Sequence, residues 1–228
     1  MEIFSDLINW DNLLAKSMDF KKNKPFRFAF VEEFFHRDFY EKLYETYPKI
    51  DKTWGINSDH SKFQYYKTWN CRPTSEPVMD GDDPTLSEYW NKLKRYVMSK
   101  EFIENFKKFS GVDVGKTKHL LFMGYKKGGF QLPHIHNVGP STLILMLYFS
   151  KNWPKGDPGG TYMAKEEDES TIIFEPYNLD NSMALFQDGP KAAHGVRYIS
   201  KDIIRQGFQI TLEGYSSTSG WSGDKKEK

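Results

Sequence analysis

His134 and His136 stand two apart in Leu132-Pro133-His134-Ile135-His136-Asn137, and His194 follows within Ala192-Ala193-His194-Gly195-Val196. Arg205 lies 11 residues beyond His194. Side chains at i and i+2 of a strand share a face. Two imidazoles can therefore converge on one ion, and a third can arrive from a later strand. Three ligands on one face leave coordination positions open for chemistry, as a catalytic centre needs and a closed structural site does not. Arg205 adds a second requirement. A guanidinium inside a barrel needs an anion, because an unpaired buried charge is costly. A bound carboxylate can satisfy it bidentately; a rim salt bridge to Asp188, Asp202 or Glu213 is the alternative. His36, His60 and His119 occur singly, and a lone imidazole more often lies at the surface or takes a hydrogen bond than ligates a metal.

The elements that must position these residues change character along the chain. Ile3, Leu7, Ile8, Leu13, Leu14 and Met18 recur at helical spacing, so the pattern predicts an N-terminal amphipathic helix. Phe26 to Phe30 alternates as a half-buried strand does. His36 to Tyr47 returns to helical spacing and stops at Pro48. Residues 51–83 read as long loops with one or two strands, around Phe63 to Trp69. Their aromatics, Trp54, Phe63, Tyr65, Tyr66 and Trp69, suit either a cover over the core or a binding surface. Thr85 and Glu88 have capping-box spacing for a helix reaching about Val97. Ser99 can cap a helix over Glu101 to Phe109 that ends at Gly111.

From His119 onward, short apolar segments broken by Gly, Pro, Asn and Asp predict a β-sandwich or barrel. They are His119 to Tyr125, Thr142 to Phe149, Thr171 to Phe174, Met183 to Phe186, Gly195 to Ile199 and Ile203 to Tyr215. In the last, Gln206, Phe208, Ile210 and Leu212 share the face expected to pack on helices. Arg205, Gly207, Gln209 and Thr211 share the face expected to line the interior. Leu145, Gln209 and Thr211 are the expected pocket lining. The simplest organisation is one α+β domain over residues 1–215, with helices and mixed structure to 118, a barrel from 119, and a loose tail from 216 to 228.

Composition narrows the function. A chain of 228 residues with 38% hydrophobic, 16% aromatic and 28% charged residues can bury a full core. Its net charge of +1 gives no electrostatic reason to expect a nucleic-acid partner. The single cysteine, Cys71, excludes an internal disulfide framework and a Cys-rich zinc site, and fits a reducing compartment. Met1 to Asp6 lacks a signal-peptide start, and the longest apolar run, Leu143 to Phe149, is too short to span a bilayer. The expectation is a cytoplasmic protein with a small-molecule or peptide substrate and no membrane or nucleic-acid partner.

From Tyr125 to Tyr215 the chain resembles the Fe(II)- and 2-oxoglutarate-dependent oxygenases, especially their prolyl-hydroxylase-like branch. The carrying residues are Tyr125-Lys126-Lys127-Gly128-Gly129-Phe130-Gln131-Leu132-Pro133-His134, the strand Leu143 to Phe149 with Asn152-Trp153, Gly159-Gly160-Thr161-Tyr162, His194 and Arg205. Phe30 to Phe35 with the helix after it, and Phe102 to Gly111, are similar to that family's opening elements. The resemblance implies a double-stranded β-helix, a jelly-roll or cupin-like barrel buttressed by N-terminal helices. It implies an iron dioxygenase acting as a hydroxylase, with His134 and His194 as iron ligands. Arg205 would pair with the distal carboxylate of the cosubstrate 2-oxoglutarate, and Tyr125 would hydrogen-bond the same group. Dioxygen would be consumed and succinate and carbon dioxide released as a substrate C–H bond is oxidised; no catalytic residue beyond the metal site is implied.

The departure is at His136, where the family has a carboxylate. A neutral imidazole there makes the metal site one unit more positive and suits later metals better. A three-His oxygenase, a shell completed by another group such as Asp188 or water, and a non-catalytic binding module with a degenerate site all follow as readings. Gly128 with His134 and His136 also resembles the first cupin motif. That implies a three-His dioxygenase that does not use 2-oxoglutarate, although the cupin glutamate is missing at Pro140-Ser141.

Overall fold

The computed structural model of the chain describes residues 4, 6–69 and 81–214. Cys71 and the tail from 216 to 228 lie outside the described residues. In chain order the elements are α1 (Trp10–Ala15), α2 (Ser17–Lys22), β1 (Phe28–Glu32), α3 (Arg37–Glu45), β2 (Gly55–Asp59), β3 (Lys62–Thr68), α4 (Glu88–Val97) and α5 (Lys100–Ser110). There follow β4 (Lys116–Tyr125), β5 (Phe130–His134), β6 (Thr142–Phe149), β7 (Thr161–Ala164), β8 (Ile172–Phe174), β9 (Asp180–Gln187), β10 (Ala193–Val196) and β11 (Arg205–Glu213). No helix among the described residues is long and apolar enough to cross a membrane.

The strands pair antiparallel in the order β1-β9-β6-β11-β4-β3-β5-β10-β7-β8, with β2 added to β3. β3 is the corner: it pairs with β4 in the longer set of strands and with β5 in the shorter set. This is the double-stranded β-helix.

Alternation sorts the side chains into two cores. Leu120 and Phe122 of β4, Leu143, Leu145, Leu147 and Phe149 of β6, Leu185 of β9, and Phe208, Ile210 and Leu212 of β11 join the helices. Trp90 of α4 is fully buried among them and meets Phe122, Phe149 and Phe208 at centroid distances of 4.8, 5.3 and 5.2 Å. The opposite faces, with Met123, Tyr125, Ile144, Met146, Tyr148, Ala184 and Phe186, make the interior core. The face assignment expected for β11 therefore holds. Burial of each large side chain is worth about 1.5–3 kcal/mol, so the helices hold the longer strands rigid behind the site.

Two local expectations change. The N-terminal helix is broken at Lys16, which ends α1 and starts α2. The cap of α4 is Ser87, whose Oγ accepts from Trp90 N, and not Thr85. Thr85 is occupied in a turn, where both its N–H and its hydroxyl donate to Asp83 Oδ1. Ser99 caps α5 as expected, and Gly111 ends it at φ +68°, a left-handed conformation that glycine takes without strain.

Candidate metal centre and its cavity

The short strands β5 and β10 pair so that His194 lies directly opposite His134. Opposed residues of an antiparallel pair point to one side, and the two ring centroids come to 4.3 Å. His136 arrives differently from the expectation. β5 ends at His134, and the chain leaves the ladder, with Asn137 at φ +52°. The His136 ring still returns to the same point, 4.6 Å from the His134 ring and 4.8 Å from that of His194. The three ligand atoms lie within 4.8 Å of one another. Nε2 of His134 and of His136 are 2.9 Å apart. Two nitrogens about 2.1 Å from one ion at a right angle would be about 3 Å apart, so this spacing fits adjacent positions around a single metal.

Backbone contacts fix the tautomers. His134 Nδ1–H donates to Leu132 O at 3.0 Å, and His194 Nδ1–H donates to Ala192 O at 2.9 Å. Each ring therefore presents an Nε2 lone pair, in the orientation that such outer contacts give metal-bound histidines. A relay reaches the same nitrogen from behind. Gln64 Nε2 donates to Tyr125 Oη (2.9 Å), Tyr125 Oη donates to Gln131 Oε1 (3.0 Å), and Gln131 Nε2 stands 3.2 Å from His134 Nε2, beside the lone pair that a metal would take.

Burial keeps all three rings neutral, the form that binds metal. It lowers the His134 pKa, and together with the neighbouring rings it takes His136 to about 3 and His194 well below its ordinary value. The sign for stability follows. The unfolded chain takes up protons as pH falls below about 6.5 and the folded chain does not. The stabilisation is complete above that pH and is lost towards the folded values. We expect the melting temperature of the metal-free protein to fall as pH drops from about 6.5 to 5; a flat profile by circular dichroism would contradict this.

Asp188 stands apart from the three rings, and its Oδ2 accepts from Val138 N (2.6 Å) and Gly139 N (3.4 Å), pinning the turn that carries His136. Loss of such outer contacts weakens metal sites by about 10- to 100-fold. Asp188→Ala should show a loss of that size in calorimetric metal titration, and unchanged affinity would remove Asp188 from the design of the site.

Arg205 is fully buried. Nε donates to Gly159 O and Nη2 to Thr161 Oγ1, both at 3.1 Å, and the guanidinium lies 5.0 Å from the Tyr125 ring centroid and 4.9 Å from that of Tyr148. The alternative salt bridge does not form: Asp188 holds its turn, Glu213 pairs with Lys116 and Lys118, and no described carboxylate pairs with Arg205. Nη1 is left without a partner among the described residues. Gly207 makes room for it, because a Cβ there would stand 2.8 Å from Nη1. Tyr125 supports the guanidinium with its ring, while its proton goes to Gln131.

A cavity of about 350 Å³ lies against the triad. Gln209 lines it. Leu145 does not: alternation on β6 turns Ile144 and Met146 to the cavity and sends Leu145 to the helices. Thr211 stands behind the wall, accepting from Gln209 Nε2 at 3.0 Å. Arg205 also stands one layer back and meets the cavity through Thr161, which lines it. Sequence reasoning missed Gln64, Gln131 and Lys62. Gln131, three residues before His134, had a signal only in its proximity. A larger surface hollow of 720 Å³ touches the triad at His136 alone.

No protein-family model and no curated protein matches the chain. Solved structures do. A prolyl-4-hydroxylase from Pseudomonas putida is 11% identical with a TM-score of 0.62, over 90% of this chain and 100% of that one. A prolyl hydroxylase from Trichoplax adhaerens is 12% identical with a TM-score of 0.61, over 90% and 89%. A 2OG-Fe(II) oxygenase-family oxidoreductase from Burkholderia pseudomallei is 8% identical with a TM-score of 0.59, over 95% and 96%. The chain thus has the double-stranded β-helix fold of the 2-oxoglutarate and iron oxygenases. Two of these three are prolyl hydroxylases.

Proposed function

We propose that this chain is a non-haem iron, 2-oxoglutarate-dependent dioxygenase with a three-His metal site, acting as a hydroxylase on an unactivated C–H bond. One observation carries the reading. Three neutral imidazoles converge beside a cavity whose wall is backed by a buried arginine whose Nη1 has no partner among the described residues. The donor set suits a divalent ion, and the orphaned Nη1 suits a carboxylate.

His134, His136 and His194 would hold the metal, and Arg205 with Thr161 would hold the distal carboxylate of 2-oxoglutarate. When bound, iron and 2-oxoglutarate supply the oxidising chemistry, with succinate and carbon dioxide as coproducts. The chain's own residues orient and exclude. The Leu132 and Ala192 carbonyls fix the ligand rings, and Tyr125 ties Gln131 to the wall beside Arg205. The apolar interior around Met123, Ile144 and Met146 keeps water from the site.

The test is anaerobic reconstitution with Fe(II), followed by 2-oxoglutarate and then oxygen. Binding of 2-oxoglutarate and formation of succinate support the reading. No binding, with oxygen consumed in the absence of 2-oxoglutarate, favours the three-His cupin-type dioxygenase, for which the imidazole at position 136 speaks. A protein that binds metal and consumes no oxygen is a binding module.

A further inference from the structure

The cavity has a second polar wall that neither metal nor cosubstrate uses. The registers of β4, β11 and β6 lay their inward residues in rungs. Tyr125 pairs with Arg205, then Leu121 with Gln209 and Met146, then His119 with Thr211 and Ile144. Six residues of β11 separate the first rung from the last, about 20 Å at about 3.3 Å per residue. Arg205 and His119 therefore mark opposite ends of the inward face.

His119 lines the cavity and is 4% exposed. Neither of its ring nitrogens has a partner among the described residues, whereas a buried polar group ordinarily finds one. Burial, with Lys118 nearby, takes its pKa to about 4. The neutral ring offers one donor and one acceptor. Gln209 is its diagonal neighbour on β11 and gives Nε2 to Thr211; no described residue donates to its Oε1. Charge narrows the occupant. Among the described residues no Asp or Glu lines this cavity, and Lys62 is its sole Lys or Arg. A cationic ligand would find no counter-ion beside a centre built for a divalent cation.

We propose that His119 and Gln209 form the substrate-docking end of the cavity, taking an uncharged group that donates and accepts hydrogen bonds, a primary carboxamide or a hydroxyl, and rejecting ammonium and guanidinium groups. Calling the occupant a substrate rests on the oxygenase reading; the subsite itself does not.

Acetamide and methylammonium are the probes, titrated into the full-length protein with its histidines isotopically labelled. Acetamide should move the His119 ring resonances saturably, and methylammonium should not. In saturation-transfer measurements, His119→Leu and Gln209→Leu should each weaken acetamide binding about tenfold, the loss of one buried hydrogen bond. The proposal is overturned if acetamide leaves His119 unmoved, if methylammonium binds equally well, or if the folded variants bind acetamide as the unaltered protein does. Should His119→Leu fail to fold, Gln209→Leu and the unaltered protein decide the matter. Titration of 2-oxoglutarate into the same metal-loaded samples separates the two readings. Acetamide binding without 2-oxoglutarate binding sinks the oxygenase reading alone, and the converse sinks the subsite alone.

Discussion

His194→Ala should cost the protein at least about 100-fold in divalent-metal affinity. Zinc-finger sites bind with about 10–16 kcal/mol, so one ligand among three or four carries about 3 kcal/mol, and each 1.4 kcal/mol is tenfold. His194 is the ligand to choose because it sits in the β10 ladder opposite His134, with its ring 4.5 Å from that of Phe186. Neighbouring β-structure cannot bring another imidazole to that point. Calorimetry with Fe(II) or Co(II) reads the change, and circular dichroism checks that the fold survives. Affinity within threefold of the unaltered protein would show that the three rings are not a metal site. His136→Asp is the informative companion. It places an anion where the ring now stands, so metal binding should persist with a shift toward harder ions.

The second large effect concerns Arg205, and it has two parts of opposite sign. Arg205→Met removes a buried charge that no described carboxylate pairs with, and that Gly159 O, Thr161 Oγ1 and the Tyr125 and Tyr148 side chains surround. Replacing buried charges by apolar groups of similar volume is often neutral or stabilising, so the unliganded variant should melt no lower than the unaltered protein. Its response to 2-oxoglutarate should vanish. Breaking a buried charge pair from one side costs about 3–5 kcal/mol, which corresponds to a more than 100-fold weaker Kd. Thermal shift against 2-oxoglutarate concentration reads both parts. An undiminished shift in the variant would take Arg205 out of the cosubstrate site. A collapse of the unliganded fold would mean that its role is structural.

Much of the site could be read along the chain because its devices are local. The β11 alternation that puts Arg205 and Gln209 on one face and Phe208 and Ile210 on the other is a period-2 property of nine residues. The helix caps at Ser99 and Gly111 are equally local. Leu145 was misplaced because β6 is apolar on both faces, so composition gives no sign of which face looks inward. The position of β2 was not legible because Gly-Ile-Asn-Ser-Asp contains few strand-forming residues; it is a strand through its ladder with β3.

Residue types and spacing by themselves determined that three imidazoles and an arginine were available for one site in a helix-backed barrel. The tertiary structure decided what long-range pairing alone can set. It brought His136 back to the triad from outside its strand, turned Asp188 into the pin of that turn, and left Arg205 without a carboxylate partner among the described residues. It also put His119, one of the three unremarkable histidines of the chain, on the wall of the cavity. Partners in these contacts lie tens of residues apart, so strand register, and no local propensity, selects them.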